Sequence, residues 1–161
     1  MLCRGIASLV LAFALFAADP LYRSVSLDRD GQLHIVLDSG KEVLAPKLKG
    51  QMAFDDPYIS PDRRTVGWLT LYPYPGQAPL AGRLVLYRGG KVLQNISTGP
   101  QVFWDWQFQD GGKRVAYSTG PTHFGAALCS LRDVDTGKII EEWDVHGGKE
   151  APAWAFGLRV E

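Results

Sequence analysis

Ile59-Ser60-Pro61-Asp62-Arg63-Arg64-Thr65-Val66-Gly67-Trp68 decides the fold, because it returns in altered form as Phe108-Gln109-Asp110-Gly111-Gly112-Lys113-Arg114-Val115-Ala116-Tyr117. In each copy an apolar residue precedes a turn and an apolar strand follows it. Pro61 fixes its own φ, and the Asp62 carboxylate can accept a nearby main-chain N–H, so Ser60-Pro61-Asp62 reads as a turn. Asp110-Gly111-Gly112 and Asp135-Thr136-Gly137 read the same way.

Working outward, Thr65 to Tyr72 alternates as a strand does, with Val66, Trp68 and Tyr72 on one side and Leu69 and Leu71 on the other. A Pro- and Gly-rich loop, Pro73 to Gly82, leads into a hairpin of Arg83 to Tyr87 and Lys91 to Ile96 around Arg88-Gly89-Gly90. Before the motif, Ser24 to Leu27, Gln32 to Leu37 and Glu42 to Leu44 read as strands, the last two joined by Asp38-Ser39-Gly40-Lys41. Pro46 to Asp56 reads as irregular, and Tyr58-Ile59 enters the motif. After it, Val102 to Phe108 and Lys113 to Thr119 precede a loop at Gly120 to Gly125. Leu128 to Val134 and Lys138 to Val145 form a closing hairpin. Ala153-Trp154-Ala155-Phe156 echoes the spacing of Trp106 and Phe108 and is expected to be one more strand. No helical periodicity of useful length follows Leu21, so the fold class is all-β.

By strand role the chain holds a strand pair, two full sets of four, and a single terminal strand, with a period of about 48 residues. Four antiparallel strands per repeat is the pattern of propeller blades. At Ile59 to Trp68, at Phe108 with Asp110 to Tyr117, and at Asp133-Val134-Asp135-Thr136-Gly137-Lys138, the chain resembles the WD40-like β-propeller repeats of the TolB type found in the bacterial cell envelope. The likeness covers most of Phe54 to Val145 and implies propeller-like blades. Propellers close with at least four blades, whereas the roughly 140 residues after the N-terminal segment supply about three. The resemblance therefore implies an incomplete propeller or one completed by a homodimer, the C-terminal strand of one copy joining the N-terminal hairpin of another.

The N-terminal segment has the plan of a secretory signal peptide: one positive charge within Met1 to Arg4, an apolar run from Ile6 to Ala18, then Asp19-Pro20. Residues 1–18 are read as the signal and 19–161 as a single domain, with a periplasmic or secreted location. An uncleaved anchor is the alternative, and no membrane span is expected after cleavage. Cys3 would leave with the signal and Cys129 would remain alone, so no internal disulfide is expected. In Ala126-Ala127-Leu128-Cys129-Ser130-Leu131 it reads as a small buried hydrophobe.

With 17 Lys and Arg against 17 Asp and Glu, scattered along the chain, the basic footprint of a nucleic-acid binder is absent. No phosphate loop, nucleophile elbow or metal-ligand spacing is present, so no catalytic residue, metal or cofactor is assigned. The binding candidates are aromatic. Strand alternation would put Trp104 and Trp106 on one face and Asp105 on the other, a sugar-stacking platform whose competing reading is core burial. Tyr72-Pro73-Tyr74-Pro75-Gly76 offers Tyr72 and Tyr74 on a Pro-rich loop, where core burial is uncommon. His123 lies on the long loop between strands; His34 is mid-strand and His146 in a Gly-rich turn, none with a recognisable acidic partner. Asp55-Asp56 before Pro57 reads as a turn. Two functions follow: an exported binding or scaffolding module recognising a protein or a glycan, and, as the alternative, a small hydrolase or lyase acting on polysaccharide through Asp56 or Asp105 with His123.

Overall fold

The computed structural model describes residues 19–160, and every sheet is a run of sequence-adjacent antiparallel strands. The first sheet takes β1 (Tyr22–Leu27), β2 (Leu33–Leu37) and β3 (Glu42–Leu44). The second takes β4 (Ala53–Ile59), β5 (Val66–Tyr72), β6 (Leu80–Arg88) and β7 (Lys91–Ser97). The third takes β8 (Val102–Gln109), β9 (Arg114–Gly120), β10 (Leu128–Asp133) and β11 (Ile139–Asp144). The fold is all-β, as the alternation and turn signals indicate, and none of the three sheets closes into a barrel. The expected signal peptide and Cys3 lie outside the described residues. Among the described residues no helix is long and apolar enough to cross a membrane.

β5 explains why the sheets stack. Val66 and Trp68, fully buried, face the first sheet and pack with Leu33, Ile35, Val85 and Tyr87. Leu69 faces the other way, with Leu84 and Leu86, onto Trp106, Val115 and Tyr117 of the third sheet. The second sheet is therefore covered on both faces, which is why Val66 to Thr70 is buried at every position. A third core, Ala116, Cys129 and Leu131, is closed by Ala155 and Leu158 of the tail. Cys129 is a free, fully buried thiol whose pKa is pushed up to about 11 by burial, so it acts as the small hydrophobe its apolar run suggests.

In the first sheet Glu42–Leu44 pairs with β2 from His34 to Val36, as the hairpin reading has it, so the opening set is three strands and not the pair of the repeat count. The structure departs from the sequence expectations at two further places. β4 begins at Ala53, inside the stretch read as irregular. Asp56 adopts a left-handed φ of 48° and makes a bulge between Asp55 and Tyr58, which hides the alternation, and Pro57 is tolerated because β4 is an edge strand. The tail is not a strand. Pro152 leads into a short 3-10 turn at Ala153–Ala155, and side chains of the third sheet take up its backbone groups. Gln107 and Gln109 donate to the Phe156 and Trp154 carbonyls, Ser118 donates to the Arg159 carbonyl, and the Arg159 N–H donates to Asp105. The strand that a ring closed between two copies would borrow is thus folded back on its own chain.

The repeated motif holds the stack together. Ser60 Oγ donates to Asp62 Oδ1 at 2.6 Å and accepts the Thr65 N–H at 2.9 Å, closing the turn on itself. Arg63, at φ 61°, accepts the Tyr22 N–H on its carbonyl at 2.8 Å and donates through Nε to the Tyr22 carbonyl at 3.0 Å. Its guanidinium also pairs with Asp38, next to the first sheet. On the other side the Asp62 N–H donates to the Gly111 carbonyl at 3.1 Å, in the second copy of the motif. Arg88 adds a further tie, from Thr65 Oγ1 at 3.0 Å to Asp135 at 2.5 Å.

Gly112 shows how close the two copies lie. Its φ is 103°, and a Cβ there would sit 2.8 Å from both Asp62 Oδ1 and Ser60 Cβ. Gly90, at φ 82°, has nothing within 4 Å of the same position. Gly90→Ala should therefore cost only the backbone penalty, about 1 kcal/mol, whereas Gly112→Ala adds a clash with a buried turn and should cost ~3 kcal/mol. Urea unfolding of the two variants measures the difference; equal losses would mean that the two turns are not packed against each other.

Candidate functional site

The motif turns lock one end of the sheets, and at the opposite end residues 73–79 and 121–127 make longer connections. β5 runs from the locked end to Tyr72, whose ring lies across the backbone of β6. A Cβ added at Gly82 would come within 2.9 Å of Tyr72 Cδ2, and one at Gly50 within 3.9 Å of the same ring. Two glycines thus make the seat for this tyrosine. Beside it Tyr74, 38% exposed, leaves the strand on the Pro-rich loop. The two rings, with Pro73, Pro100 and Pro121 from three separate loops, wall a groove of about 430 Å³ between the second and third sheets. Among the described residues, Arg83 is the one charged residue lining it. Its Nη1 donates to Asn95 Oδ1 at 3.3 Å, and among the described residues no carboxylate forms an ion pair with it.

His123 lies next to this groove without entering it. Thr122 lines the wall, and the following His123 is exposed on the loop. Tyr72 and Tyr74 are therefore brought together, and His123 stands at the rim.

The tryptophans separate. β8 carries a bulge at Trp104, because Phe103 pairs with Thr119 and Asp105 with Ser118, so the alternation slips by one residue. Trp106 enters the second core at 2% exposure and donates its indole N–H to the Asp56 carbonyl at 3.1 Å. Trp104 stays half-buried beside a cleft of about 340 Å³ that also contains Asp55, Asp56, Asp105 and Arg159. The paired-indole platform does not form; the bulge is the physical reason.

In that cleft burial raises the Asp56 pKa above the ordinary carboxylate range, with the nearby Asp105 and Asp55 charges adding and the Tyr58 hydroxyl and Arg159 opposing. The other two carboxylates serve the backbone. Asp105 accepts the Trp106 and Arg159 N–H groups, and Asp55 accepts that of Asp56. His123 is not among the residues lining this cleft, so the cleft does not bring the histidine expected for hydrolysis to its carboxylates. Among the described residues no group of three His, Cys, Asp or Glu side chains is placed to hold a metal ion.

Arg83 and Arg159 escaped the sequence reading because neither belongs to a motif. His34 escaped it as well: its Nδ1 lies 2.5 Å from Glu42 Oε1 and its Nε2 2.9 Å from Asp28 Oδ2. The signal was the hairpin register, since Val36 opposite Glu42 and His34 opposite Leu44 make His34 and Glu42 diagonal neighbours on one face. No protein-family model matches the chain, and no curated protein matches it.

The His34 cluster gives stability a defined pH dependence. Glu42 first and Asp28 second raise the His34 pKa above its ordinary 6.5, and the His34 contact lowers that of Asp28 below its ordinary 3.8. The charged histidine therefore stabilises the fold fully below pH 6.5 and loses that contribution as pH rises through its folded value. The Asp28 contribution is present above pH 3.8 and is lost as pH falls through its lowered value. Unfolding midpoints recorded from pH 4 to 9 should decline on the alkaline side in the wild type, and His34→Gln should flatten that limb; an unchanged limb in the variant would assign it to other groups.

Proposed function

We propose that this chain is an exported binding module made of propeller-like blades of the TolB type, and that it recognises its partner in the groove of Tyr72 and Tyr74. The blade assignment is supported by two successive four-stranded antiparallel sheets, each with the repeated turn between its first two strands, packed face to face. Export to the periplasm or the medium rests on the apolar run before Asp19. The binding role rests on one observation: a preformed groove with two tyrosines, one seated on glycine backbone, and three proline walls. Such walls lose little conformational freedom when a ligand settles on them, and tyrosine supplies a broad apolar face with a polar tip.

A second reading, hydrolysis or lyase cleavage of a polysaccharide, is supported by Asp56, a carboxyl held above its ordinary range in a cleft. It lacks an evident partner, because Asp105 and Asp55 are taken up by backbone N–H groups. The binding reading uses more of the site.

Screening the wild type on saccharide and peptide arrays, beside a Tyr72→Ala/Tyr74→Ala double variant, tests the proposal. The expected outcome is a set of wild-type hits whose signal falls at least tenfold in the double variant while its unfolding midpoint confirms the fold. Hits that persist in the double variant, and vanish in Asp56→Asn, would move the site to the acidic cleft.

A further inference from the structure

We infer that the groove takes an acidic saccharide, with the carboxylate of a uronate-type sugar on Arg83 and its ring face on the tyrosines; this rests on the reading of the groove as the binding site. The first argument is charge. Arg83 is the only ionised group among the residues lining the groove, it has no carboxylate partner among the described residues, and its one side-chain bond is a 3.3 Å donation to the neutral Asn95. A half-buried guanidinium in that state keeps most of its planar set of donors for a ligand, and a carboxylate matches that fork bidentately.

The second argument is position. The groove opens at the ends of β5, β6, β7 and β8, at Tyr72, Leu80, Ser97 and Val102, rather than along a strand edge. A peptide binding as an added strand would pair along β7 or β8, the edge strands of their sheets, and only their end residues Ser97 and Val102 reach the groove. The residues at hand are tyrosine rings for the apolar face of a pyranose and the Ser97, Gln101 and Thr122 side chains for its hydroxyl groups. A volume of about 430 Å³ accommodates one or two sugar units rather than a folded partner surface.

The probes are trigalacturonate, its methyl ester, which keeps the shape and removes the charge, and an acidic proline-rich peptide. Each is titrated by calorimetry into wild type and Arg83→Gln, with the tyrosine ring resonances followed by NMR. We expect trigalacturonate to bind at least tenfold more tightly than the ester. Arg83→Gln should reduce it to near the ester's level, with a much smaller loss for the ester, and Arg83→Lys, which keeps the charge but not the fork, should fall between. Equal binding of acid and ester, with ring shifts at Tyr72 and Tyr74, overturns the carboxylate assignment and leaves the groove as the site. Binding of the peptide alone, with the same ring shifts, overturns the saccharide assignment and likewise leaves the groove. Trigalacturonate binding that leaves both rings unmoved overturns the groove reading itself. The acid-to-ester comparison in the wild type decides the matter even where Arg83→Gln fails to fold.

Discussion

The short turn from Ser60 to Thr65 is the joint on which the whole stack depends. Each sheet has at least one apolar face, and stacking buries those faces, but apolar contact is non-directional and would allow neighbouring sheets to slide. The turn removes that freedom. Through Arg63 it makes two hydrogen bonds to the Tyr22 backbone in the first sheet, one accepted by its carbonyl and one donated by its side-chain Nε, and through the Asp62 N–H it holds Gly111 at the edge of the third. The Ser60 hydroxyl and Asp62 carboxylate keep the turn rigid from inside. Directional bonds at one end thus fix the register of two apolar interfaces, and the other end is left to loops.

That division accounts for where the candidate site lies. At the locked end, backbone groups and charged side chains are largely satisfied by other turns: Arg63 by Asp38, Arg88 by Asp135 and Thr65, Gln94 by the Asp133 and Val134 carbonyls. At the loop end, Arg83 and two tyrosines keep unused capacity around a groove. The two ends of the stack are treated differently again. The first sheet turns His34, Asp28 and Glu42 to its outer side, and the third receives Ala155 and Leu158 from the tail.

Much of this could be read from the residues. The repeat exposed the two four-stranded sheets, because turn chemistry and alternation agree in both copies, and Val66, Trp68 and Leu69 took the faces their order implies. The failures have one cause: strand alternation assumes an uninterrupted ladder. Bulges at Asp56 and Trp104 break it, so Phe54 was hidden inside an irregular stretch and two tryptophans expected side by side were parted. The tail misled for a related reason, since Trp154 and Phe156 repeat the spacing of a strand while their backbone follows Pro152 into a turn. At the site, Tyr72 and Tyr74 were legible as aromatic residues on a proline-rich loop. Arg83 was not, because what distinguishes it is that no carboxylate among the described residues pairs with it, which only the packing of sheets reveals.

If one turn joins three sheets into a single body, its amides should be among the last to open, and native-state hydrogen exchange measures this residue by residue. The account predicts that the Tyr22 and Asp62 amides, which bridge from the first sheet to the turn and from the turn to the third sheet, exchange with the same opening free energy and denaturant dependence as Trp68 in the middle of β5. Exchange of Tyr22 or Asp62 through a separate, low-energy opening while Trp68 stays protected would contradict it, and would make the sheets neighbours rather than one unit.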